Sequence, residues 1–189
     1  VFTDCVVQIA AVKLRHGVIT DRFEVFIQTD KRLPRELSPG VANPLVKTYA
    51  KAVKISPNEA YHAFAQFMGD AVPAGHNLDF DTAIMRSDIA RRTQCTIPQQ
   101  LNRDAARLDT LTLSRQLYPR LNSHTLATLL ATLELEGSNS HDAADDASAT
   151  ATLLSALANK AHEILPKARQ AHLDTKIKRC AEKLKSVYG

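Results

Sequence analysis

The first hydrophobic segment of the chain is almost continuous. Residues 5–12, CVVQIAAV, are apolar at every position but one and are rich in β-branched side chains. This pattern is typical of a central strand that is buried on both faces of a sheet. The turn sequence RHG at 15–17 and a second apolar run, FEVFI at 23–27, come next. The pattern therefore predicts two antiparallel strands joined by a hairpin.

Later apolar positions recur at helical spacing. In the segment SPNEAYHAFAQFM, residues 56–68, Ser56 and Glu59 have the spacing of a capping box, which predicts a helix beginning there. A short strand is predicted over residues 71–77, and a helix is predicted over residues 79 to about 92.

The second half of the chain predicts mostly helices. Residues 108–118 begin as an extended segment and become helical, and the leucine spacing in 123–135 predicts a helix that Gly137 ends. A long helix is predicted from residue 141 towards residue 165, where Pro166 stops it. Strands followed by mixed helices and one more strand indicate an α/β fold with a mixed sheet.

The last part of the chain differs in composition. Residues 167–189 hold seven Lys and Arg residues against two acidic residues, and their apolar positions are spaced by three and four. This spacing predicts an amphipathic helix with a basic outer face. We therefore expect a domain over residues 1–165 and, over residues 166–189, a basic helix or a linker to a further domain.

Composition narrows the class of protein. No apolar run approaches the ~20 residues of a membrane span, so we expect no contact with a membrane. The three cysteines are far apart, which favours reduced thiols in a cytoplasm. The chain begins at Val1 without a basic-then-apolar leader, which indicates a fragment of a longer protein. A net charge of +4 favours a nucleic-acid partner only weakly.

Two short segments place acids beside a histidine near a predicted helix start. They are HNLDFD, residues 76–81, and HDAADDASATATLL, residues 141–154. Carboxylates suit Mg²⁺ or Mn²⁺, and a histidine free of metal can act as a general base. Each segment also has a simpler interpretation, because acids in a first helical turn interact with the positive helix end and acids on one helix face are usually solvated.

The order and spacing of these segments resemble the DEDDh 3′→5′ exonucleases, relatives of the proofreading subunit of bacterial DNA polymerase III and of ribonuclease T. The segment VVQIAAVKLRHGVITDRFEVFI resembles the second and third strands of that family, and VPAGHNLDFD resembles its second motif. LDTLTLSRQLYP and SHTLATLLATLEL resemble the segment that leads to the third motif. HDAADDASATATLL resembles the third motif itself, in which a His precedes an Asp by five positions.

The resemblance implies a ribonuclease H-like α/β fold, a mixed five-stranded sheet flanked by helices. It implies that Asp81 and Asp146 are catalytic acids that bind two Mg²⁺ or Mn²⁺ ions, and that His141 is the general base. Asp79 and Asp145 are neighbouring acids that the family spacing disfavours.

The implied function is a 3′→5′ exonuclease that releases nucleoside 5′-monophosphates from single-stranded 3′ ends, with DNA favoured over RNA. We expect such a module to serve replication or repair, with a polymerase or helicase as a partner or as a fused domain.

One motif of that family is missing. Its first strand carries Asp-x-Glu, and the printed sequence contains no such triplet. Three explanations of the missing motif are open. The chain is truncated, or it is an inactive relative, or residues are missing between Phe2 and Thr3. The last explanation fits best, because VF resembles the way the family's first strand runs into its Asp. An inactive module that binds nucleic acid or a partner protein is the alternative, and so is an exoribonuclease.

Overall fold

Strands and helices alternate along the chain. The computed structural model describes residues 5–137, 140–171 and 175–188. The strands are β1 (Gln8–Arg15), β2 (Val18–Ile27), β3 (Glu36–Ser38), β4 (Val41–Ala42), β5 (Lys54–Ile55), β6 (Ala74–Gly75) and β7 (Leu108–Asp109). The α-helices are α1 (Leu45–Lys51), α2 (Pro57–Met68), α3 (Leu78–Arg92), α4 (Thr110–Leu117), α5 (Leu126–Thr132), α6 (Ala143–Ala171) and α7 (Thr175–Tyr188).

The predicted hairpin is confirmed. β1 and β2 pair antiparallel, with Arg15 opposite Val18 at the turn. His16 and Gly17 have φ values of 50° and 78°, and two successive positive φ angles make the tight hairpin turn that matches the twist of the flanking strands. Glycine adopts this conformation without steric cost.

β1 is not the central strand that its composition predicted. The three-stranded sheet has the order β1-β2-β5, so β1 has one neighbour among the described residues. β6 and β7 form a separate parallel pair, and β3 and β4 form a small antiparallel pair. The α/β class is confirmed, but the predicted five-stranded sheet lies in a three-stranded and a two-stranded piece. The predicted sheet is divided because no described strand pairs with both β1 and β6.

The predicted start of α2 is confirmed in detail. Glu59 N donates to the Ser56 hydroxyl at 3.3 Å, and Ser56 N donates to the Glu59 carboxylate at 2.9 Å. This capping box satisfies two backbone N–H groups that the first turn leaves free. α2 buries Ala60, Tyr61 and Met68.

A buried polar network fixes α3 against α2 and the sheet. Asp88 is fully buried and accepts a hydrogen bond of 2.8 Å from the Tyr61 hydroxyl. Burial, followed by this bond to Asp88, raises the pKa of Tyr61. Arg92 pairs with the same carboxylate at 3.2 Å and donates to the Val6 carbonyl at 3.1 Å. α3 is therefore held to the chain just before β1.

α6 runs longer than predicted. It continues to Ala171, so the prediction that Pro166 ends it is wrong. A proline inside a helix removes a hydrogen bond and its ring crowds the preceding turn, so other contacts must offset its cost. α7 packs on α6 in the same core, where Ala158 and Ala161 of α6 and Cys180, Ala181 and Leu184 of α7 are buried.

The end of α5 was also placed wrongly. The helix ends at Thr132 instead of continuing to Gly137. Glu134 adopts a φ of 53°, and Leu135 N donates to the Leu130 carbonyl at 2.9 Å. Glu134 thus takes the left-handed conformation that glycine usually provides at a helix end.

The last helix is amphipathic, as predicted. Its buried face carries Cys180 and Leu184, and Arg179, Lys183 and Lys185 are exposed. The division between residues 1–165 and 166–189 stays a prediction. Within the described part of the chain, no helix combines the length and the apolar composition needed to cross a bilayer.

Candidate functional site

A cavity of about 1840 Å³ is lined by residues of β1 and β6 and by residues of α2, α3, α4 and α6. Asp81, His141 and Asp146 all line this cavity. The three predicted site residues come from two distant segments and line the same cavity.

The start of α3 positions Asp81. Asn77 precedes the helix in the left-handed conformation, with a φ of 66°, and its N–H donates to the Asp109 carboxylate at 3.1 Å. The same Asp109 oxygen accepts from Leu111 N at 2.9 Å at the start of α4. One carboxylate therefore holds two helix starts, and Asp81 lies in the first turn of the one beginning at Leu78.

Gly75 is required by packing at the same place. A Cβ atom on Gly75 would lie 2.8 Å from Leu78 Cδ1, which is closer than real contacts allow. Glycine lets β6 approach the first turn of α3, the turn that carries Asp81.

The surroundings of Asp81 disfavour its charged form. Its side chain lines the cavity and has surface accessible to solvent, but protein groups surround much of the carboxyl. This desolvation is the largest cause that raises the pKa of Asp81 to about 6, and the negative charges of Asp109 and Asp146 raise it further. A bound cation would offset all of these effects.

Asp146 carries an unpaired oxygen. Its Oδ1 atom is buried and has no hydrogen-bond partner in the described part of the structure. Burial raises the pKa of Asp146, and the nearby charge of His141 opposes that shift. A buried carboxylate oxygen without a partner is unfavourable. The chemistry of this pair of acids therefore fits a divalent cation, which prefers oxygen ligands.

His141 precedes α6 in a conformation that few residues adopt. Its φ of 60° is in the left-handed region, which is strained for a residue with a side chain. The imidazole is exposed to the cavity beside Asp146. A histidine there can exchange a proton with a ligand in the cavity.

Two residues that position the site were missed by the sequence analysis. Gln8 Nε2 donates to Asp142 at 3.3 Å, and Ala143 N donates to Gln8 Oε1 at 3.2 Å. Asp142 in turn accepts from Ala144 N at 2.9 Å and so caps α6. Gln8 thus joins β1 to the helix that carries Asp146. The sequence did contain one sign of this role, because Gln8 is the single polar position in CVVQIAAV.

The neighbouring acids lie elsewhere. Asp79 forms an ion pair with Arg107 at 2.5 Å, and its side chain is 79% exposed. Asp145 accepts from the Ser140 hydroxyl at 2.7 Å. Neither residue lines the cavity. His76 does line it, with Nδ1 2.9 Å from the Thr110 hydroxyl, and burial lowers its pKa.

The described residues do not form a complete metal site. Over the described ranges, no group of three or more His, Cys, Asp or Glu side chains is arranged to hold a metal ion. Asp81 and Asp146 meet at one cavity, but their roles as ligands, and that of His141 as a base, stay predictions.

Comparisons with known proteins agree on one family. The Exonuclease family model, RNase T, matches residues 2–154. The PolC-type DNA polymerase III of Latilactobacillus sakei subsp. sakei (strain 23K) is 32% identical over 162 residues, which are 85% of this chain and 10% of that protein. The PolC-type enzyme of Halalkalibacterium halodurans is 33% identical over 154 residues, which are 79% of this chain and 10% of that protein. The chain thus spans about a tenth of the length of these relatives.

A solved structure gives the fold. Exonuclease X in complex with 5′-overhanging duplex DNA superposes with a TM-score of 0.53 at 18% sequence identity. The superposition covers 97% of this chain and 91% of that one. The mixed α/β architecture is therefore that of an exonuclease.

Proposed function

Because the chain belongs to the RNase T exonuclease family, we propose that it is the catalytic module of a 3′→5′ exonuclease that releases nucleoside 5′-monophosphates. One observation carries the proposal: Asp81 and Asp146 line a single cavity, where Asp146 Oδ1 is buried without a partner. DNA is the favoured substrate, because the two relatives described above are PolC-type DNA polymerases.

The proposed chemistry is hydrolysis of a phosphodiester. Water attacks the phosphorus, the P–O bond to the leaving 3′ oxygen breaks, and the proton of the attacking water passes to a base. His141 is that base, because its imidazole is exposed and lines the same cavity as the two acids.

The acids hold the cofactor. Divalent metal ions are typical of this family, and we propose Mg²⁺ or Mn²⁺, bound in a pair by Asp81 and Asp146 together with further acids. When bound, such ions stabilise the negative charge that develops on the phosphate and on the leaving oxygen.

Two carboxylates are too few for this role. Mg²⁺ keeps several waters and is usually bound by one or two protein carboxylates, so a pair of ions calls for up to four. We propose that the native protein carries Asp-x-Glu between Phe2 and Thr3, two positions that lie outside the described residues. The Asp-x-Glu acids would then complete the set begun by Asp81 and Asp146.

The whole protein has a wider context. The curated relatives are PolC-type DNA polymerases, of which a stretch of this size is a small part. We propose that the chain works in the cytoplasm beside a polymerase or helicase, as a fused domain or as a partner. The basic face of α7, with Arg179, Lys183 and Lys185 exposed, is a surface for docking or for solubility.

A second candidate follows from a specific observation. The printed sequence contains no Asp-x-Glu, and the described residues make no three-ligand group. The second candidate is therefore an inactive module, which binds nucleic acid or a partner protein and hydrolyses neither.

One experiment separates the two candidates. Single-stranded DNA labelled at its 5′ end is incubated with Mn²⁺. One reaction contains the unmodified chain, and the other contains a variant that carries Asp-x-Glu between Phe2 and Thr3. We expect the variant to shorten the DNA one nucleotide at a time from its 3′ end, and to leave a 3′-phosphorylated strand intact.

The controls are an Asp81→Asn change and an Asp79→Asn change in the active variant. The first should abolish shortening, and the second should preserve it, because Asp79 pairs with Arg107 outside the cavity. DNA binding without any shortening, in every chain, would favour the inactive module. The matching RNA strand tests the substrate class directly.

A further inference from the structure

We infer that a groove beside the cavity binds the sugar-phosphate backbone of the nucleic-acid strand whose 3′ end enters the cavity. The groove has a volume of about 220 Å³ and lies between the loop that follows β2 and one face of α1. Its lining includes Lys31, Arg32, Arg35, Val46, Tyr49 and Ala50. We call it the basic groove. The inference rests on the proposed function for the position of the 3′ end, and it concerns the strand upstream of that end.

The basic groove lies in a segment with an excess of positive charge. Residues 30–54 hold six of the chain's 24 Lys and Arg residues and two of its 20 Asp and Glu residues. The resulting net charge of +4 equals that of the whole chain. Arg32 and Arg35 are exposed, and no ion pair of the described residues involves either of them. Their guanidinium groups match the geometry of a phosphate group.

Hydrogen bonds hold the loop against α1. The buried Asn43 donates from Nδ2 to the Pro34 carbonyl at 2.9 Å, and its backbone N–H donates to the Arg35 carbonyl at 2.8 Å. Its Oδ1 atom accepts from Leu45 N at 3.0 Å at the start of α1. One side chain thus fixes the backbone that carries Arg35 relative to the helix. A site that is ordered in advance loses less conformational entropy when a ligand binds.

Tyr49 lines the basic groove with a ring that already has partners. Its hydroxyl donates to the Ile27 carbonyl at 2.7 Å. Lys54 Nζ lies 4.8 Å from the centroid of the Tyr49 ring, over one of its faces. That face is therefore closed to a nucleic-acid base, although stacking on aromatic rings is a common way to bind single strands. The basic groove offers charge for the backbone, so we expect binding without sequence preference.

The basic groove adjoins the cavity. Leu45 lines the cavity, and the next residue, Val46, lines the groove. Lys47 and Lys51 are exposed and lie one turn apart on α1, so they extend the positive charge along the helix. A strand that leaves the cavity past the start of α1 meets these cations with the phosphates that lie 5′ to the cleaved bond.

The first measurement is binding in EDTA, which requires no cleavage. Fluorescence anisotropy follows the binding of labelled oligo(dT) to the unmodified chain at several KCl concentrations. For Arg32→Ala/Arg35→Ala, the slope of log K against log[salt] should fall by about 1.4, because each phosphate contact on a single strand contributes about 0.7. Binding at low salt should weaken at least about fivefold.

The matched control is Arg179→Ala/Lys183→Ala, which removes the same charge from exposed positions of α7, a helix that does not line the basic groove. Its slope should change by less than about 0.3. Arg32→Lys/Arg35→Lys should retain most of the slope, because it keeps the charge. An equal fall in both alanine pairs would overturn the inference, since net charge alone would then set the affinity. An unchanged slope in Arg32→Ala/Arg35→Ala would also overturn it.

Polyglutamate of matched charge tests an acidic protein segment as the occupant. It should displace oligo(dT) weakly, because it has no 3′ end to enter the cavity. Tighter binding of polyglutamate than of oligo(dT), lost in Arg32→Ala/Arg35→Ala, would assign the basic groove to a protein partner and overturn the inference.

Activity gives a second reading in the chain completed with Asp-x-Glu. A dinucleotide has one phosphodiester, which must lie at the acids to be cleaved, so no phosphate remains for the basic groove. Arg32→Ala/Arg35→Ala should raise KM for a long oligo(dT) by about tenfold and should leave kcat/KM for the dinucleotide within about twofold. A loss shared equally by the dinucleotide would overturn the inference.

The two measurements separate this inference from the proposed function. If the groove variants lose binding in EDTA and the completed chain cleaves nothing, the basic groove stands and the proposed function fails. If the completed chain cleaves DNA and the groove variants bind as the control does, the proposed function stands and the basic groove fails.

Discussion

Asp81 on α3 and Asp146 on α6 line the same cavity. Burial raises the pKa of both carboxyls, and the charges of Asp109 and of Asp146 raise the pKa of Asp81 further. The ionised form of Asp81 is therefore less favourable in the folded chain than in water.

The first prediction concerns pH. The pKa of Asp81 is about 6 in the folded chain against an ordinary value of 3.8, so between these values the folded state binds the additional proton. The stability that protonated Asp81 contributes is fully present below pH 3.8 and is lost as pH rises through 6. Asp81→Asn should therefore raise Tm by about 1–3 °C at pH 7.5 in EDTA, with no gain at pH 3.5.

Thermal unfolding followed by circular dichroism measures this difference. Asp79→Asn is the control, because it removes only an exposed ion pair and should not raise Tm at either pH. An Asp81→Asn chain that is no more stable at pH 7.5 would mean that solvent in the cavity screens the charge.

The second prediction concerns the base. In a chain completed with Asp-x-Glu, His141→Ala should lower turnover by about 10²–10⁴-fold and should change the Kd for Mn²⁺ little, because the imidazole is not a proposed ligand. Single-turnover cleavage and isothermal titration measure the two effects. Wild-type turnover in the variant would remove His141 from the mechanism, and His76, which also lines the cavity, would be tested next.

The third prediction concerns the attachment of α6 to the sheet. Gln8→Ala removes the hydrogen bonds to Asp142 and Ala143 and an exposed one of 2.8 Å to Glu24, and it should lower the free energy of unfolding by about 1–2 kcal/mol. Gln28→Ala removes only an exposed bond of 3.4 Å to Lys54, and it should change stability by less than about 0.5 kcal/mol. Urea unfolding compares them, and equal losses would show that Gln8 has no special role.

The fourth prediction concerns α7. Leu184 is fully buried in the core shared with α4 and α6, so Leu184→Ala should cost about 2–5 kcal/mol in the free energy of unfolding. Lys183→Ala, one position away and exposed, should cost less than about 0.5 kcal/mol. A small loss at Leu184 would indicate that residues 166–189 form a separate linker.

The fifth prediction concerns thiol chemistry. Burial raises the pKa of Cys180 to about 11, and only the thiolate reacts with disulfide reagents. At pH 8 Cys180 should therefore react at least about 100-fold more slowly in the folded chain than in urea. Peptide mapping after timed labelling measures the rate at each cysteine. Rapid labelling of Cys180 in the native chain would mean that α7 opens readily.

Local patterns predicted most of the elements. The capping box at Ser56, the hairpin at Gly17 and the helix carrying Asp81 follow from short-range rules, and the structure shows all three. The helix ends were less predictable. Glu134 ends α5 from a left-handed conformation that its residue type does not favour, and α6 continues beyond Pro166 to Ala171.

The site was predicted only in part, for a related reason. The family spacing distinguishes Asp81 from Asp79, and the structure places Asp79 on Arg107 away from the cavity. Spacing could not reveal that Asp109 binds Asn77, or that Gln8 binds the start of α6, because these bonds join segments far apart in sequence. The edge position of β1 was equally hidden, since a strand's composition does not state how many neighbours it has.

The double use of Asp109 has a thermodynamic consequence for any ligand of Asp81. Since one carboxylate fixes the first turns of α3 and α4, the acid on α3 is already immobilised before a ligand arrives. Little conformational entropy remains to be lost on that side of the cavity. We expect binding there to have a small entropic penalty, and Asp109→Ala to turn a rigid receptor into one that must order itself around each ligand.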